Sequence, residues 1–160
     1  LVGSEMCIRD RNYEVSINSA VKNLQDIAGI RVICSYVQDV YTIANLLVSQ
    51  DDVHLVRMAD YIREPKPNGY RSLHLIVEIP VFLSEGRILV PVEVQIRTIA
   101  MDFWASLEHS LRYKAQEYIP QHISDELQRV ATDIASLDQR MQAIHDQVDE
   151  LSDARSDNAT

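Results

Sequence analysis

Apolar residues follow two different periods along the chain, and their succession predicts an α/β domain. A period of three to four residues predicts amphipathic helices over residues 16–27, 38–49 and 98–118. Runs of β-branched residues or strict alternation predict strands over residues 30–36, 53–62, 73–79 and 89–97. The turn residues at 84–87 are expected to join the last two strands as a hairpin.

The first predicted strand and the segment after the second strand differ from the rest. Residues 30–36 are apolar with little alternation, which is typical of a strand buried on both faces, and Cys34 is expected in the core. Residues 63–72 contain two prolines and an Asn-Gly step, which exclude regular structure there. We therefore expect a loop within an otherwise regular domain.

After Pro120 the apolar spacing changes to a regular alternation of four and three residues. The positions are Ile123, Leu127, Val130, Ile134, Leu137, Met141, Ile144, Val148 and Leu151. This heptad pattern predicts a long helix within residues 119–151, and residues 152–160 are expected to be a disordered tail. The heptad face packs either on the chain's own sheet or in an oligomer interface, and we favour the oligomer.

The start of the chain differs in character from its body. Residues 1–11 begin with Leu1 and show no clear amphipathic period. We interpret them as a non-native or disordered leader, with a frayed native terminus as the alternative. Residues 12–118 form the body of the predicted domain.

Composition and charge narrow the class of protein. Hydrophobic residues make up 46% of the chain, which is typical of a globular protein, and no apolar run approaches the roughly 18 residues of a membrane span. Two cysteines and no secretory signal favour a reducing cytoplasm. Of the net charge of −9, residues 119–160 contribute −6, from nine acids and three bases. This distribution argues against non-specific duplex binding and leaves room for a small anionic ligand.

Polar side chains share one face of the last predicted strand. Because side chains alternate along a strand, Glu93, Gln95 and Arg97 project to the same side. Asp26 lies just before the first strand, so if the two strands are neighbours, Asp26 and Glu93 could converge on one Mg²⁺ ion beside substrate phosphates. The alternative is that Asp26 caps a turn and Glu93 pairs with Arg97 or Arg31.

The loop at 63–72 combines cations, a stiff backbone and an aromatic ring. Its bases are Arg63, Lys66 and Arg71. Tyr70 offers a flat face on which a base can stack, Lys66 could meet a phosphate, and Asn68 could read a base edge. His74 follows on a strand and could reach a ligand bound to the loop. Together these residues favour a nucleotide site.

Several widespread catalytic motifs are absent from the sequence. It contains no Walker loop and no GxGxxG, HExxH or GxSxG pattern. His145-Asp146 lies in the heptad region without further histidines around it, and we interpret it as a solvated pair. The residues alone therefore predict an α/β domain with a magnesium–nucleotide site.

Three separated segments resemble one protein family. They read DIAGIRVICSYVQDVY (26–41), DYIREPKPNGYRSLH (60–74) and VEVQIRTIAMDFWASLEHSLRYK (92–114). In order and spacing they resemble the synthetase domain of RelA/SpoT homologues. With the heptad helix, residues 16–150 resemble the small alarmone synthetases. The resemblance implies a mixed β-sheet flanked by helices, related to the nucleotidyltransferase fold.

The resemblance also implies an activity and assigns roles to individual residues. The activity is that of a GTP diphosphokinase, which transfers pyrophosphate from ATP to the 3′-hydroxyl of GTP or GDP and yields pppGpp or ppGpp with AMP. Asp26 and Glu93 would hold Mg²⁺, and Glu93 would help to deprotonate the attacking hydroxyl. The other implied roles are Arg31 against adenine, Tyr70 stacked on guanine, Lys66 and His74 on the phosphate side, and Gln95 in support of the Glu93 site.

The chain departs from the family pattern upstream of Asp26. Family members grip the ATP phosphates with an Arg/Lys-rich segment there, whereas residues 12–25 contain a single lysine, Lys22. We therefore expect that the domain at 12–118 lacks its ATP-gripping segment and that the chain alone makes no product. Small synthetases of this family are often homotetramers, which suits the heptad helix. Some are regulated by RNA, which this sequence does not indicate.

Two other functions stay open at this point. A related transferase could place pyrophosphate on the 3′ end of tRNA, although the intact loop with Tyr70 favours a free guanine nucleotide. A non-catalytic nucleotide-binding oligomerisation module is the third hypothesis. The presence of both Asp26 and Glu93 argues against it.

Overall fold

The structure is a computed structural model that describes residues 28–115 and 119–157, with side chains through residue 152. Its elements in chain order are β1 (Ala28–Cys34), α1 (Val37–Val48), β2 (His54–Asp60), β3 (Leu73–Leu83), β4 (Gly86–Thr98), α2 (Ile99–Lys114) and α3 (Gln121–Asp157). The predicted leader at 1–11 and the predicted helix at 16–27 lie outside the described residues. The α/β class and the four predicted strands are confirmed.

The four strands form one mixed sheet in the order β1-β4-β3-β2. Two turn residues, Ser84 and Glu85, join β3 to β4, and Gly86 has a φ of 131°, which a residue with a Cβ rarely adopts. The predicted hairpin is therefore confirmed. Both of its strands are longer than predicted. β3 continues past Pro80 to Leu83, and β4 begins at Gly86 and ends at Thr98. β2 has seven residues and β3 has eleven, so part of β3 has no partner in β2 and can accommodate a proline.

β1 lies at one edge of the sheet, and its surface differs from the prediction. Ile30 is 56% exposed and Ile33 is 43% exposed, whereas Cys34 is buried. The expectation of a strand buried on both faces is therefore wrong, while the core position of Cys34 is confirmed. An apolar run without alternation resembles an interior strand, but among the described strands β1 has a neighbour on one side only.

The chain divides into two compact units. Among the described residues, the first unit comprises 28–32, 44–59 and 74–95 and contains most of the sheet. Its most buried strand side chains are Leu75, Ile76, Val77, Val92 and Val94. The alternation predicted for β4 is confirmed here, because Val92 and Val94 are buried and Glu93 between them is partly exposed.

The second unit comprises 33–43, 60–73 and the described residues from 96 onward. Trp104 and Ala105 of α2 form a buried cluster with Ala131 of α3, against which Tyr70 and Ile134 pack. The indole N–H of Trp104 donates a hydrogen bond of 3.1 Å to the carbonyl of Leu127. This cluster attaches the two helices to each other and to the loop that carries Tyr70.

A side-chain cap fixes the start of α2. The hydroxyl of Thr98 accepts a hydrogen bond of 3.1 Å from the backbone N–H of Met101. Asp102 in the first turn, and Arg112 and Lys114 in the last turn, have the charges that the helix dipole favours. The predicted helix is confirmed up to Lys114, and residues 116–118 lie outside the described residues.

α3 continues to Asp157, which differs from the disordered tail predicted from residue 152. Each residue added to an existing helix gains a backbone hydrogen bond, so a polar segment can extend it. The heptad positions that are more than a third exposed are Ile123, Val130, Leu137, Met141, Ile144, Val148 and Leu151. None of the helices in the described part of the chain is long and apolar enough to cross a membrane.

Candidate functional site

Three polar side chains on β3 and β4 form a hydrogen-bonded group in the first unit. Nδ1 of His74 lies 3.0 Å from Oε1 of Glu93, and Nε2 of Gln95 donates a hydrogen bond of 3.0 Å to Oε2 of Glu93. The side chain of Glu93 remains 21% exposed and that of His74 14% exposed. Both carboxylate oxygens are thus held in place by neighbours while the group stays accessible to a ligand.

A pocket of about 240 Å³ opens beside this group. It is lined by Gly29, Ile30, Arg31, Glu93 and Gln95. Because β1 and β4 are neighbours in the sheet, the backbone brings Arg31 to the same cavity as Glu93 and Gln95. The condition that the sequence left open, whether these two strands are adjacent, is therefore met.

The described residues include one of the two carboxylates predicted to hold magnesium. Within the described residues no three His, Cys, Asp or Glu side chains come together as a metal cluster, and Asp26, the predicted second ligand, lies outside them. Glu93 is the carboxylate that lines the pocket. Mg²⁺ is commonly held by one or two carboxylates and by substrate phosphates, so an accessible Glu93 is compatible with that role.

Arg97, one of the two arginines that the sequence offers as a partner for Glu93, binds other residues. Nη1 of Arg97 lies 3.4 Å from Oδ1 of Asp102, and its Nη2 donates a hydrogen bond of 2.9 Å to the hydroxyl of Tyr70. Arg97 is almost fully buried. The interpretation that Glu93 pairs with Arg97 is therefore wrong, since the guanidinium serves the second unit.

Asp60 organises the start of the loop at 61–72. Its Oδ1 accepts hydrogen bonds from the backbone N–H groups of Ile62 (3.0 Å) and Arg63 (3.1 Å). Its Oδ2 accepts a hydrogen bond of 3.1 Å from the hydroxyl of Tyr41. Burial, and then the negative charge of Asp60, raise the pKa of Tyr41, so this hydroxyl stays a donor.

The middle of the loop is a tight turn. The N–H of Gly69 donates a hydrogen bond of 2.8 Å to the carbonyl of Lys66, and the N–H of Lys66 donates one of 3.1 Å to the carbonyl of Tyr70. Gly69 has a φ of 90°. Pro67 and Asn68, between Lys66 and Gly69, are residue types that β-turns favour. The irregular segment predicted from the prolines is therefore confirmed as an ordered loop.

Asn68 has structural partners at both ends of its amide. Its Oδ1 accepts a hydrogen bond of 3.2 Å from the N–H of Tyr70, and its Nδ2 donates one of 3.2 Å to Oε1 of Glu108. Glu108 also forms an ion pair with Arg112. Asn68 thus ties the loop to α2.

Tyr70 is surrounded by cations and rings. Nζ of Lys66 lies 4.6 Å from the centroid of the Tyr61 ring and 4.9 Å from that of Tyr70. Cζ of Arg97 lies 5.5 Å from the Tyr70 ring, while the two tyrosine rings meet edge to face at 6.2 Å. A partly buried ring with its hydroxyl anchored by Arg97 is pre-oriented for stacking.

Sequence reasoning missed several residues that hold this loop. Glu108 binds Asn68 and Arg97 binds Tyr70, two residues that the sequence predicts to contact a nucleotide. Asp60 fixes the backbone at the start of the loop. The loop partners of Glu108 and Arg97 are 40 and 27 residues away, so no periodicity indicates them. Asp60 bonds the backbone two and three residues ahead, a local pattern that aspartate favours at turns. The Glu108–Arg112 pair at i and i+4 was visible, but it is equally typical of a solvated helix face.

A comparison with protein families now identifies the class. The profile described as "Region found in RelA / SpoT proteins" matches residues 7–118. This range covers more than half of the chain, and the chain belongs to that family.

Two curated proteins of Bacillus subtilis (strain 168) are similar to the chain. GTP pyrophosphokinase YwaC is 47% identical over 139 residues, which are 87% of this chain and 66% of the relative. GTP pyrophosphokinase YjbM is 42% identical over 136 residues, which are 85% of this chain and 64% of the relative. The chain thus spans just under two thirds of the length of these relatives.

Solved structures share the fold. Small alarmone synthetase 2 from Bacillus subtilis has a TM-score of 0.81 at 43% identity, covering 89% of this chain and 74% of that chain. Small alarmone synthetase 1 from the same organism, bound to its product pppGpp, has a TM-score of 0.85 at 37% identity, with coverages of 92% and 74%. The predicted synthetase fold is confirmed.

Proposed function

We propose that the protein is a GTP pyrophosphokinase that transfers pyrophosphate from ATP to the 3′-hydroxyl of GTP or GDP. Family membership and the likeness to YwaC and YjbM support this activity. The observation that carries it is the carboxylate of Glu93, held by His74 and Gln95 beside Arg31. The products would be pppGpp or ppGpp and AMP.

Glu93 is proposed as the group that accepts the proton of the attacking hydroxyl. A ribose hydroxyl is a weak nucleophile near neutral pH, so a carboxylate within hydrogen-bond reach raises its reactivity. The bonds from His74 and Gln95 orient both oxygens of Glu93 before substrate arrives. The hydroxyl oxygen then bonds to the β-phosphorus of ATP, and the bond from that phosphorus to the α,β-bridging oxygen breaks to release AMP.

Glu93, with Asp26, is also proposed to hold Mg²⁺. A bound Mg²⁺ would neutralise phosphate charge and orient the phosphates for transfer. Arg31 lines the same pocket as Glu93, and its flat guanidinium is suited to lie against adenine. Asp26 precedes the described residues, so its contribution rests on the family resemblance.

The loop is proposed to bind the guanine nucleotide. Tyr70 would stack on guanine, and stacking of an aromatic ring on a nucleic-acid base contributes about 1–3 kcal/mol. Lys66 supplies a cation beside that ring, and His74 is assigned to the phosphates by the same resemblance. Asn68 is proposed to read the base edge with the amide hydrogen that its bond to Glu108 leaves over.

Self-association through α3 belongs to the same proposal. The heptad side chains that are more than a third exposed form an apolar stripe along a helix of 37 residues. Coiled-coil packing buries such a stripe against another copy, and a homotetramer is the arrangement that we propose. We place the protein in the cytoplasm, where both nucleotide substrates are present, and RNA is not required by the proposal.

Product analysis tests the activity. The purified chain is incubated with ATP, GTP and Mg²⁺, and nucleotides are separated by anion exchange. AMP together with a guanosine pentaphosphate would support the proposal and overturn the expectation that the chain alone is inactive. If no product forms, the same assay on the chain extended to the length of its relatives decides the question. Transfer of radiolabel from ATP to tRNA instead would favour the alternative acceptor.

A further inference from the structure

A pocket in the second unit has the composition of an anion-binding site. It has a volume of about 450 Å³ and is walled by the loop on one side and by α3 on the other. The cations that line it are Arg63, Lys66 and Arg71, and α3 contributes Gln128 and Thr132. No residue of this lining is acidic, although the chain as a whole has a net charge of −9. Its size is within the range of about 300–1,000 Å³ that small-molecule sites occupy.

The guanidinium of Arg71, which lines this pocket, has buried donors without an acceptor in the described part of the chain. Its Nη2 donates a hydrogen bond of 3.3 Å to the carbonyl of Ile62. Its Nε and Nη1 are buried and have no hydrogen-bond partner among the described residues. Unpaired donors on a charged group destabilise a fold, and an anion in the pocket would supply the missing acceptors.

The ring of Tyr70 does not line this pocket, although Lys66, whose Nζ lies 4.9 Å from the centroid of that ring, does. Gly69 and Arg71 both line it, whereas Tyr70 between them does not. Tyr70 instead packs on the cluster of Trp104, Ala105 and Ala131, of which only Ala131 lines the pocket, and receives a hydrogen bond from Arg97.

We propose that this pocket binds a phosphate-bearing anion of the size of pyrophosphate, at a site separate from the guanine nucleotide. Arg71 and Arg63 would supply the charge-assisted hydrogen bonds, with Thr132 and Gln128 as polar partners from α3. Because the walls belong to the loop and to α3, the bound anion would hold the two together. The site does not depend on the proposed transfer activity.

Calorimetric titration with inorganic pyrophosphate, without added Mg²⁺, tests the proposal on the full chain. The wild-type chain should bind one equivalent saturably. Arg71→Gln should weaken binding, and Thr132→Glu, which places a carboxylate in the pocket from the exposed side of α3, should weaken it by about tenfold or more. Thr132→Gln is the matched control of the same size without charge, and Thr132→Glu should bind more weakly than this control. This control keeps the test valid even if Arg71→Gln is too unstable to measure.

A competition experiment separates this site from the acceptor nucleotide. With the chain saturated by GDP, an additional equivalent of pyrophosphate should still bind. Strict competition between the two would assign the pocket to the phosphates of the nucleotide and overturn a separate site. Absence of saturable binding to the wild-type chain, or equal binding by Thr132→Glu and Thr132→Gln, would overturn the anion site itself. All readouts are binding measurements, so failure of transfer activity would not affect them.

Discussion

The backbone of Gly69 lies directly against the side chain of Ala131. A Cβ on Gly69 would stand 2.5 Å from the Cβ of Ala131, and Gly69 has a φ of 90°. The turn that carries Tyr70 can therefore approach α3 this closely only without a side chain at position 69. Since the same turn is tied to α2 through Asn68 and Glu108, the loop is fixed to both helices of the second unit.

Gly69→Ala should destabilise the protein through both the contact and the backbone conformation. We expect a loss of about 1 kcal/mol or more in the free energy of unfolding. Ala131→Gly alone should cost about 1 kcal/mol of helix propensity. If the contact matters, the double variant should be less destabilised than the sum of the single variants in denaturant titrations. Strict additivity would attribute the whole effect to backbone strain.

Glu93→Gln should abolish pyrophosphate transfer while the fold stays intact. The amide keeps the size of the carboxylate but cannot accept a proton, so turnover should fall about 100-fold or more. AMP release is measured for the variant and the wild type in chains of the same length, chosen so that the wild type shows turnover. The thermal unfolding midpoint checks that the variant is folded. Glu85→Gln, at the exposed hairpin turn, is the matched control and should retain wild-type turnover. Unchanged turnover in Glu93→Gln would remove this residue from the reaction.

Tyr70→Ala should weaken guanine nucleotide binding by about 1–3 kcal/mol and leave ATP binding nearly unchanged. The physical reason is loss of the stacking face. Tyr70→Phe keeps that face and loses the hydrogen bond from Arg97, so it should bind GDP much as the wild type does but unfold more easily. Equilibrium titrations with GDP and ATP check both variants. Equal losses for the two nucleotides, or a large loss in Tyr70→Phe, would contradict the stacking role.

Asp138 predicts a definite pH dependence of stability. Asp138 is only 5% exposed, and its carboxyl accepts a hydrogen bond of 2.6 Å from the hydroxyl of Thr98. Burial raises its pKa, although the bond from Thr98 and the charge of Arg71 act in the opposite direction. The folded state therefore binds this proton more tightly than the unfolded state, and the stability from this group is lost as pH rises from its ordinary pKa through the raised one.

Asp138→Asn removes this ionisation and keeps an acceptor for Thr98. The unfolding midpoint of the variant relative to the wild type should rise as pH increases above the ordinary pKa of an aspartate, about 4. Asp133→Asn, on the exposed surface of the same helix, should show no such trend. A midpoint difference that is constant or falls with pH would show that another group dominates.

The heptad face of α3 predicts self-association. Ile144 is 53% exposed, and Ile144→Glu would place a charge in the proposed interface, where it lacks a partner. The variant should sediment as a smaller species than the wild type at the same concentration. Gln139→Glu adds the same charge at an exposed position outside the heptad pattern and should leave the sedimentation coefficient unchanged. A wild-type chain that sediments as a monomer would exclude the interface.

Local patterns were sufficient for much of the fold. The alternation in β4 predicted that Val92 and Val94 would be buried and that Glu93 and Gln95 would share a face, because side chains of a strand point alternately to its two sides. The prolines and Asn68-Gly69 predicted the loop for a similar reason, since they restrict the backbone locally. Asp26 lies outside the described residues, so its predicted role stays a prediction.

Relationships between distant segments were decided only by the tertiary structure. Whether β1 lies beside β4, and so brings Arg31 to Glu93, depends on the strand order, which no local pattern contains. The same is true of the bond from Asn68 to Glu108, forty residues further along the chain. The sequence by itself predicted which residues carry the chemistry, and it determined most of the elements that hold them. Packing decided which of those residues meet, because burial and polar satisfaction are properties of the whole fold.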